Sequence, residues 1–539
     1  MTLGSNKLRS AAAIGLALVA APAQAFSQSI SSQPPLWGDL RPGAYAVGFR
    51  VIYALDRSRI WDATPDSIRV GDSARPVRIS VWYPSDRKRF SGAKPMSEGG
   101  YFFRHPPNKY FARLDSLIER ADTTPMRDFV FGKSESLFRR YLSLRSAAVR
   151  DGPVVRGRFP LVLYSAGYNN RSHDNSVLAE YLASHGYVVV TVPQVGTRST
   201  RLTLGINPVD LETQSRDLEF AMATASELPF VAASRLATVG YSMGGIVALQ
   251  IALRNPSVKA VVGLDPSYRA PRFVPLVLAS PYFNPRALRA PILSLQSGNI
   301  AEAGAQDSTV LDSLRFADRY VAQIGKAMHG DFSDFAMLAP LFPVSVQGRT
   351  AQDSRESYEA IAQYVLHFLN GTLKGDRSEM GFVSRSSQAN GLSAGLVRMQ
   401  VHSAIRVPSE LDFALFASKH GLQRALATFE QSRARYPGVE IIDYATLNRI
   451  GYGLLESGRP RDAVDVFRLN TVAHPNSADA FDSLAEGLLA AGDSAAALTA
   501  YGQLISTLPR DASLSDTARR ELRRVTEQKI ADLRRARPQ

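Results

Sequence analysis

The stretch from Leu236 to Asn255 constrains this chain more than any other. A short apolar run, Leu236 to Val239, enters a Gly-x-Ser-x-Gly turn centred on Ser242, and a helical stretch rich in small and aliphatic residues leaves it before Pro256. A strand turning that sharply into a helix presents its serine at the carboxyl end of the strand. Gly240 and Gly244 are expected where a Cβ would strike the neighbouring strand or helix, with Gly245 at the packing seam. The helix amino terminus aims N–H groups and a positive dipole end at the serine, which suits a developing oxyanion.

The surrounding rhythm extends this unit into a domain. Phe159–Tyr164, Tyr187–Pro193, Val258–Leu264, Pro291–Gln296 and Tyr320–Ile324 read as apolar strands, with helices over 175–185, 210–228 and 358–373. Uninterrupted apolar strands alternating with helices imply an α/β fold, a mostly parallel sheet covered on both faces. Upstream, Gly43 to Leu55 and Val77 to Tyr83 read as further strands, the second with Ile79, Val81 and Tyr83 alternating against polar partners. Chemistry in such sheets collects off the carboxyl ends of the strands.

A serine hydroxyl needs a base within hydrogen-bond reach, itself oriented by an acid. Of eight histidines, His329 lies just past the last of these strands, whereas His173 lies several residues into a helix entry, His185 sits at a helix end, and His402, His420 and His474 fall outside the domain. For the acid, Asp265 follows the strand after the nucleophile, in Gly-Leu-Asp-Pro-Ser; one strand later the only nearby carboxylate is Glu302. The backbone N–H of Met243, directly after the serine, and that of Tyr168, after Gly167 in the loop beyond Phe159–Tyr164, are the expected oxyanion donors.

The order Ser242, Asp265, His329, carried by Gly-Tyr-Ser-Met-Gly-Gly, Gly-Leu-Asp and His-Gly-Asp-Phe-Ser-Asp-Phe, together with Val-Trp-Tyr-Pro at 81–84, resembles the platelet-activating-factor acetylhydrolase and dienelactone-hydrolase-like branch of the α/β-hydrolases. The resemblance covers roughly residues 40–375. It implies a serine esterase working through an acyl-enzyme on a small-molecule or lipid-like ester, with no metal or cofactor. That branch has Ser-His-Gly where this chain has Ser165-Ala166-Gly167, a change that keeps the backbone donor. Gly-Tyr at 167–168, Ala-Ser-His-Gly at 183–186 and Ser-Met-Gly-Gly are also similar to bacterial cutinases and polyester hydrolases, which carry their acid one strand later. Two alternatives stay open: an acyltransferase or peptidase with the same triad, and a retired hydrolase fold that binds a partner through the carboxyl-terminal region.

The remaining segments set the domain plan, expected from 539 residues to hold two or three units. Lys7 and Arg9, the apolar run Ala11–Ala21 and Ala23-Gln24-Ala25 form a signal-peptide pattern over 1–25, followed by a flexible leader at 26–40, so an exported (secreted or periplasmic) protein is expected. No segment reaches eighteen uninterrupted apolar residues, so no transmembrane span is expected. The hydrolase domain takes 41–375, with an aromatic insertion at 94–157 that either packs over the sheet or serves as a lid. A Gly/Ser-rich linker at 376–408 joins it to helical repeats at 409–537. There Gly458, Ala463, Phe467 and Pro475 recur 34 residues later as Gly492, Ala497, Tyr501 and Pro509, a period that resembles the tetratricopeptide repeat. Ala425, Phe429 and Pro437 suggest a degenerate earlier unit. Such repeats would bind a protein partner or dock on the enzyme. The net charge of +14 is carried mainly by scattered arginines with no basic stripe among aromatics, which argues against nucleic acid. The absence of cysteine excludes disulfides and thiolate chemistry.

Overall fold

A computed structural model of the chain describes residues 33–61, 74–90, 94–103, 109–197, 205–298, 306–346 and 349–535. The expected signal peptide at 1–25 and Glu302 lie outside these residues. Among these residues ten strands form one sheet: β1 (Ala46–Ile60), β2 (Ala74–Ser85), β3 (Ala148–Arg150), β4 (Phe159–Ser165), β5 (Val188–Thr191), β6 (Val231–Tyr241), β7 (Val258–Leu264), β8 (Ile292–Ser297), β9 (Arg319–Ile324) and β10 (Val397–His402). Their spatial order is β10-β9-β8-β7-β6-β4-β5-β2-β1-β3. From β5 to β9 every neighbouring pair is parallel, whereas β2 joins β5, and β10 joins β9, antiparallel.

Alternate residues of the central strands feed two cores. Val162, Tyr164, Val189 and Val239 face a core shared with the helices Ser176–Ser184 and Ala351–Leu373. Leu161, Leu163, Val188 and Val190 face the helices Pro208–Ser226 and Met243–Arg254. Burial on both sides is why these strands read as unbroken apolar runs. The chain leaves β4 towards β5 on one side and returns as β6 on the other. Such a switch in direction opens a crevice above the carboxyl ends of the strands.

The insertion is built into the first core. Tyr101, Phe102, Phe131, Phe138 and Tyr141 are buried there, and the Tyr101 hydroxyl donates to Glu180 on the helix Ser176–Ser184. Within the insertion the helix Glu135–Leu142 is followed by Ala148–Arg150, which pairs with Val47–Phe49 of β1. Two boundaries are corrected. Residues 33–40 are anchored rather than a flexible leader: Leu36, Trp37 and Leu40 are buried, and the Trp37 indole N–H donates to Glu180 Oε2 at 2.8 Å. Residues 376–408 are not an irregular linker, because Arg377–Ser384 is helical and β10 extends the sheet. In both places a few apolar side chains within a stretch rich in turn-forming and polar residues found partners distant in sequence.

Beyond β10 the chain is all helical: the pairs Glu410–His420 with Leu422–Arg435, Tyr444–Glu456 with Pro460–Ala473, and Ala478–Ala490 with Ser494–Thr507, then a closing helix Asp516–Arg535. The repeating positions have one role each. Ala463 and Ala497, Phe467 and Tyr501 are fully buried between helices. Gly458 and Gly492 turn the chain between paired helices at φ +72° and +83°. The first pair docks on the unit that holds the sheet. Arg286 donates to Glu410 Oε1 (2.8 Å) and to the carbonyls of Glu440 and Ile441, while the guanidiniums of Arg286 and Arg289 lie 4.8 and 4.7 Å from the centre of the Phe316 ring.

Candidate active site

The turn after β6 has the strain its glycines foretold. Ser242 adopts φ +54° and ψ −122°, a conformation costing roughly 1–3 kcal/mol that the surrounding packing must hold. A Cβ on Gly240 would lie 2.0 Å from the Gly244 carbonyl oxygen, and one on Gly244 would lie 2.1 Å from that of Ser165. Gly245 lets the helix approach the acid loop, since a Cβ there would meet Pro266 Cβ at 2.5 Å. The Ser242 hydroxyl therefore stands at the amino terminus of the helix Met243–Arg254, above the crevice.

Three loops bring the remaining groups to it. His329 opens a short 3-10 turn (His329–Phe332) five residues after β9, and its Nε2 lies 2.9 Å from Ser242 Oγ. Its Nδ1 lies 2.7 Å from Asp265 Oδ2. Asp265 directly follows β7 with φ +41°, and its Oδ1 accepts the Ser297 N–H at 2.9 Å and an Arg269 Nη1–H at 3.0 Å. The imidazole is 43% exposed and the carboxylate 12% exposed, so the base opens to solvent while its acid is shielded. The Tyr241 ring packs 5.1 Å from the imidazole, and its hydroxyl donates to the His329 carbonyl. Ser267 Oγ lies 3.4 Å from Ser242 Oγ.

The loop after β4 supplies the other expected donor. Gly167 passes where a Cβ would meet Asn170 and the Tyr241 ring at 2.9 Å, and Tyr168 follows with its side chain 40% exposed. Gln194, just past β5, clamps this loop: its amide donates to the Ala166 carbonyl (2.8 Å) and its oxygen accepts the Asn169 N–H (2.7 Å). Neither the Met243 nor the Tyr168 N–H donates to a protein acceptor among the described residues.

The structure thus brings Ser242, His329 and Asp265 into one hydrogen-bonded chain, with Met243 opening the helix after the serine and Tyr168 in the loop after β4. His173 lies apart, buried against Tyr101 and Phe102, and His185 bonds its own helix through the Tyr181 carbonyl. Arg269, Ser297, Gln194 and Tyr241 were missed. Arg269 carried a local signal, four residues after the acid and across a Pro-Ser turn; the others had none. Beneath the histidine turn, burial raises Asp334 to about 7 and Asp174 to about 6, against donors from Ser176 and Tyr358 to the first and from Tyr164 to the second. Among the described residues no group of three or more His, Asp or Glu side chains is placed to hold a metal ion.

A mostly parallel sheet in this strand order, with a serine on the turn from β6 into its helix and an acid and a histidine off later strands, defines the α/β-hydrolase fold. Within it, residues 145–293 match the chlorophyllase family, a stretch that holds Ser242 and Asp265 but ends before His329. Cutinase 1 and Cutinase 2 of Thermobifida cellulosilytica are 29% and 31% identical over 120 residues, which is 21% of this chain and 42% of each relative. Cutinase est2 of Thermobifida alba is 30% identical over 116 residues, 37% of its length. The chain therefore spans about two-fifths of the curated relatives it matches. A solved ferulic acid esterase from Streptomyces cinnamoneus superposes with a TM-score of 0.47 at 19% identity, over 67% of this chain and 98% of that one.

Proposed function

We propose that the chain is a serine hydrolase of carboxylic esters, with Ser242 as nucleophile, His329 as base and Asp265 as the acid that orients it. The observation that carries this reading is the unbroken relay of 2.9 Å from Ser242 Oγ to His329 Nε2 and 2.7 Å from His329 Nδ1 to Asp265. Ser242 Oγ attacks the ester carbonyl carbon as its proton passes to His329 Nε2. The N–H groups of Met243 and Tyr168 receive the oxyanion. The imidazolium then returns its proton to the departing alkoxide, leaving an acyl-serine, and a water deprotonated by the same imidazole releases the acid. The cutinases support an ester as the bond cleaved. The position of Asp265, one strand earlier than in cutinases, favours the acetylhydrolase and dienelactone-hydrolase-like branch. Export rests on the amino-terminal sequence pattern; among the described residues no helix is long and apolar enough to cross a membrane. The 34-residue period and helical pairing support a tetratricopeptide-like reading of residues 409–537, which would serve a protein partner or the observed docking.

Replacing Ser242 by alanine should lower turnover of p-nitrophenyl esters by roughly 10⁴ to 10⁶ and abolish labelling by a fluorophosphonate. A Ser242→Ala protein with undiminished turnover would end the proposal. A rate series from acetate to palmitate then defines the acyl length.

A further inference from the structure

Arg269 stands on the side of Asp265 away from His329. Past Pro266 the chain makes a single 3-10 turn, Ser267–Arg269, that folds the guanidinium back onto the carboxylate it has just left. Nη1 reaches Asp265 Oδ1 at 3.0 Å, with the arginine side chain only 7% exposed. One carboxylate is therefore shared between an imidazole on Oδ2 and a buried cation, assisted by the Ser297 N–H, on Oδ1. Burial draws the Arg269 pKa below the ordinary arginine value while Asp265 opposes that shift. A positive charge behind the carboxylate disfavours a second positive charge on the ring in front of it.

Building on the triad proposed above, we infer that Arg269 is a positioning residue that also sets the pH range of the site. Its hydrogen bond holds the carboxylate in one rotamer on a backbone at φ +41°. Its charge lies on the carboxylate oxygen that His329 does not use, so the shared carboxylate couples the buried guanidinium to the ring that accepts the serine proton. The other charged groups around the histidine turn have partners of their own. Asp331 is ion-paired with Arg349. Asp334 and Asp174 take hydroxyl donors, and Asp307, whose N–H meets the Arg269 carbonyl, is satisfied by Thr309. Among the described residues, Arg269 is the cation in contact with Asp265.

The test is the pH dependence of kcat/KM on p-nitrophenyl butyrate for the full chain and its Arg269→Gln and Arg269→Lys variants. Glutamine keeps a donor and loses the charge, so its acid limb should move up by about one pH unit; lysine keeps the charge and should track the unsubstituted protein. If the glutamine protein does not accumulate folded, Arg269→Met takes the same test with the same limb shift expected. An acid limb in Arg269→Gln that overlays the unsubstituted protein, or one that moves equally in Arg269→Lys, overturns the inference while leaving the triad standing. Retained turnover in the Ser242→Ala control would instead remove the triad on which it rests.

Discussion

The hydrolase unit and the helical unit carry their order in opposite ways. Ser242, Asp265 and His329 meet across 87 residues of chain, and Asp265 and His329 are held by the ends of other strands, through Ser297 and Tyr241. The helical unit is built from neighbours: Phe467 fills the space left by Gly451 and Gly487 on the helices before and after its own. Its positions repeat because, within the unit, each pair packs on the pairs adjacent to it, as expected of a stacked array. Precision in the first unit is a property of the whole sheet; in the second it is a property of each step.

Substitutions can break or sharpen that contrast. The largest effect is expected from Gly244→Ala, whose Cβ would lie 2.1 Å from the backbone oxygen of Ser165. Esterase activity should fall by about 10² or more. Gly458→Ala, at φ +72° in open space, should cost only about 1 kcal/mol and leave activity intact. Equal losses at the two glycines would erase the distinction. Phe467→Ala should destabilise the helical unit by about 3–5 kcal/mol, seen as an earlier unfolding step with kcat/KM unchanged. Arg286→Ala removes the hold on Glu410 and on two carbonyls, and should cost roughly 2 kcal/mol of coupling, read as separation of the two melting transitions.

The smallest effect concerns pH. Desolvation holds Asp334 at about 7 and Asp174 at about 6 in the folded chain. The folded state thus keeps protons that the unfolded chain releases above pH ~4, so these groups make stability fall as pH rises from 5 to 7. Asp334→Asn should flatten that fall by up to about 1 kcal/mol per pH unit, measured by urea denaturation at pH 5.5 and 7. An unchanged slope would show that Asp334 is charged throughout.

Legibility in the sequence followed the range of the interaction. The Ser242 turn was readable because its constraints, a strained φ and close backbone contacts, act within a few residues. The helical period was readable because one small and one aromatic residue recur at fixed spacing. Asp265 and His329 could be chosen only after strand ends had been placed. The anchoring of Trp37 and the strand at 397–402 escaped, since polar surroundings masked a single indole and an edge strand with one buried residue, Val397.

By itself, the sequence determined where a nucleophile could stand, which strands were buried on both faces and how the helices would repeat, all consequences of local sterics and apolar spacing. Only the tertiary structure decided that Ser297, from the strand that lacks an acid, would brace Asp265, that Arg269 would fold back onto it, and that Arg286 would reach across 124 residues to Glu410. Those partners depend on where loop ends converge after the sheet has formed, and no periodicity in the chain encodes that convergence.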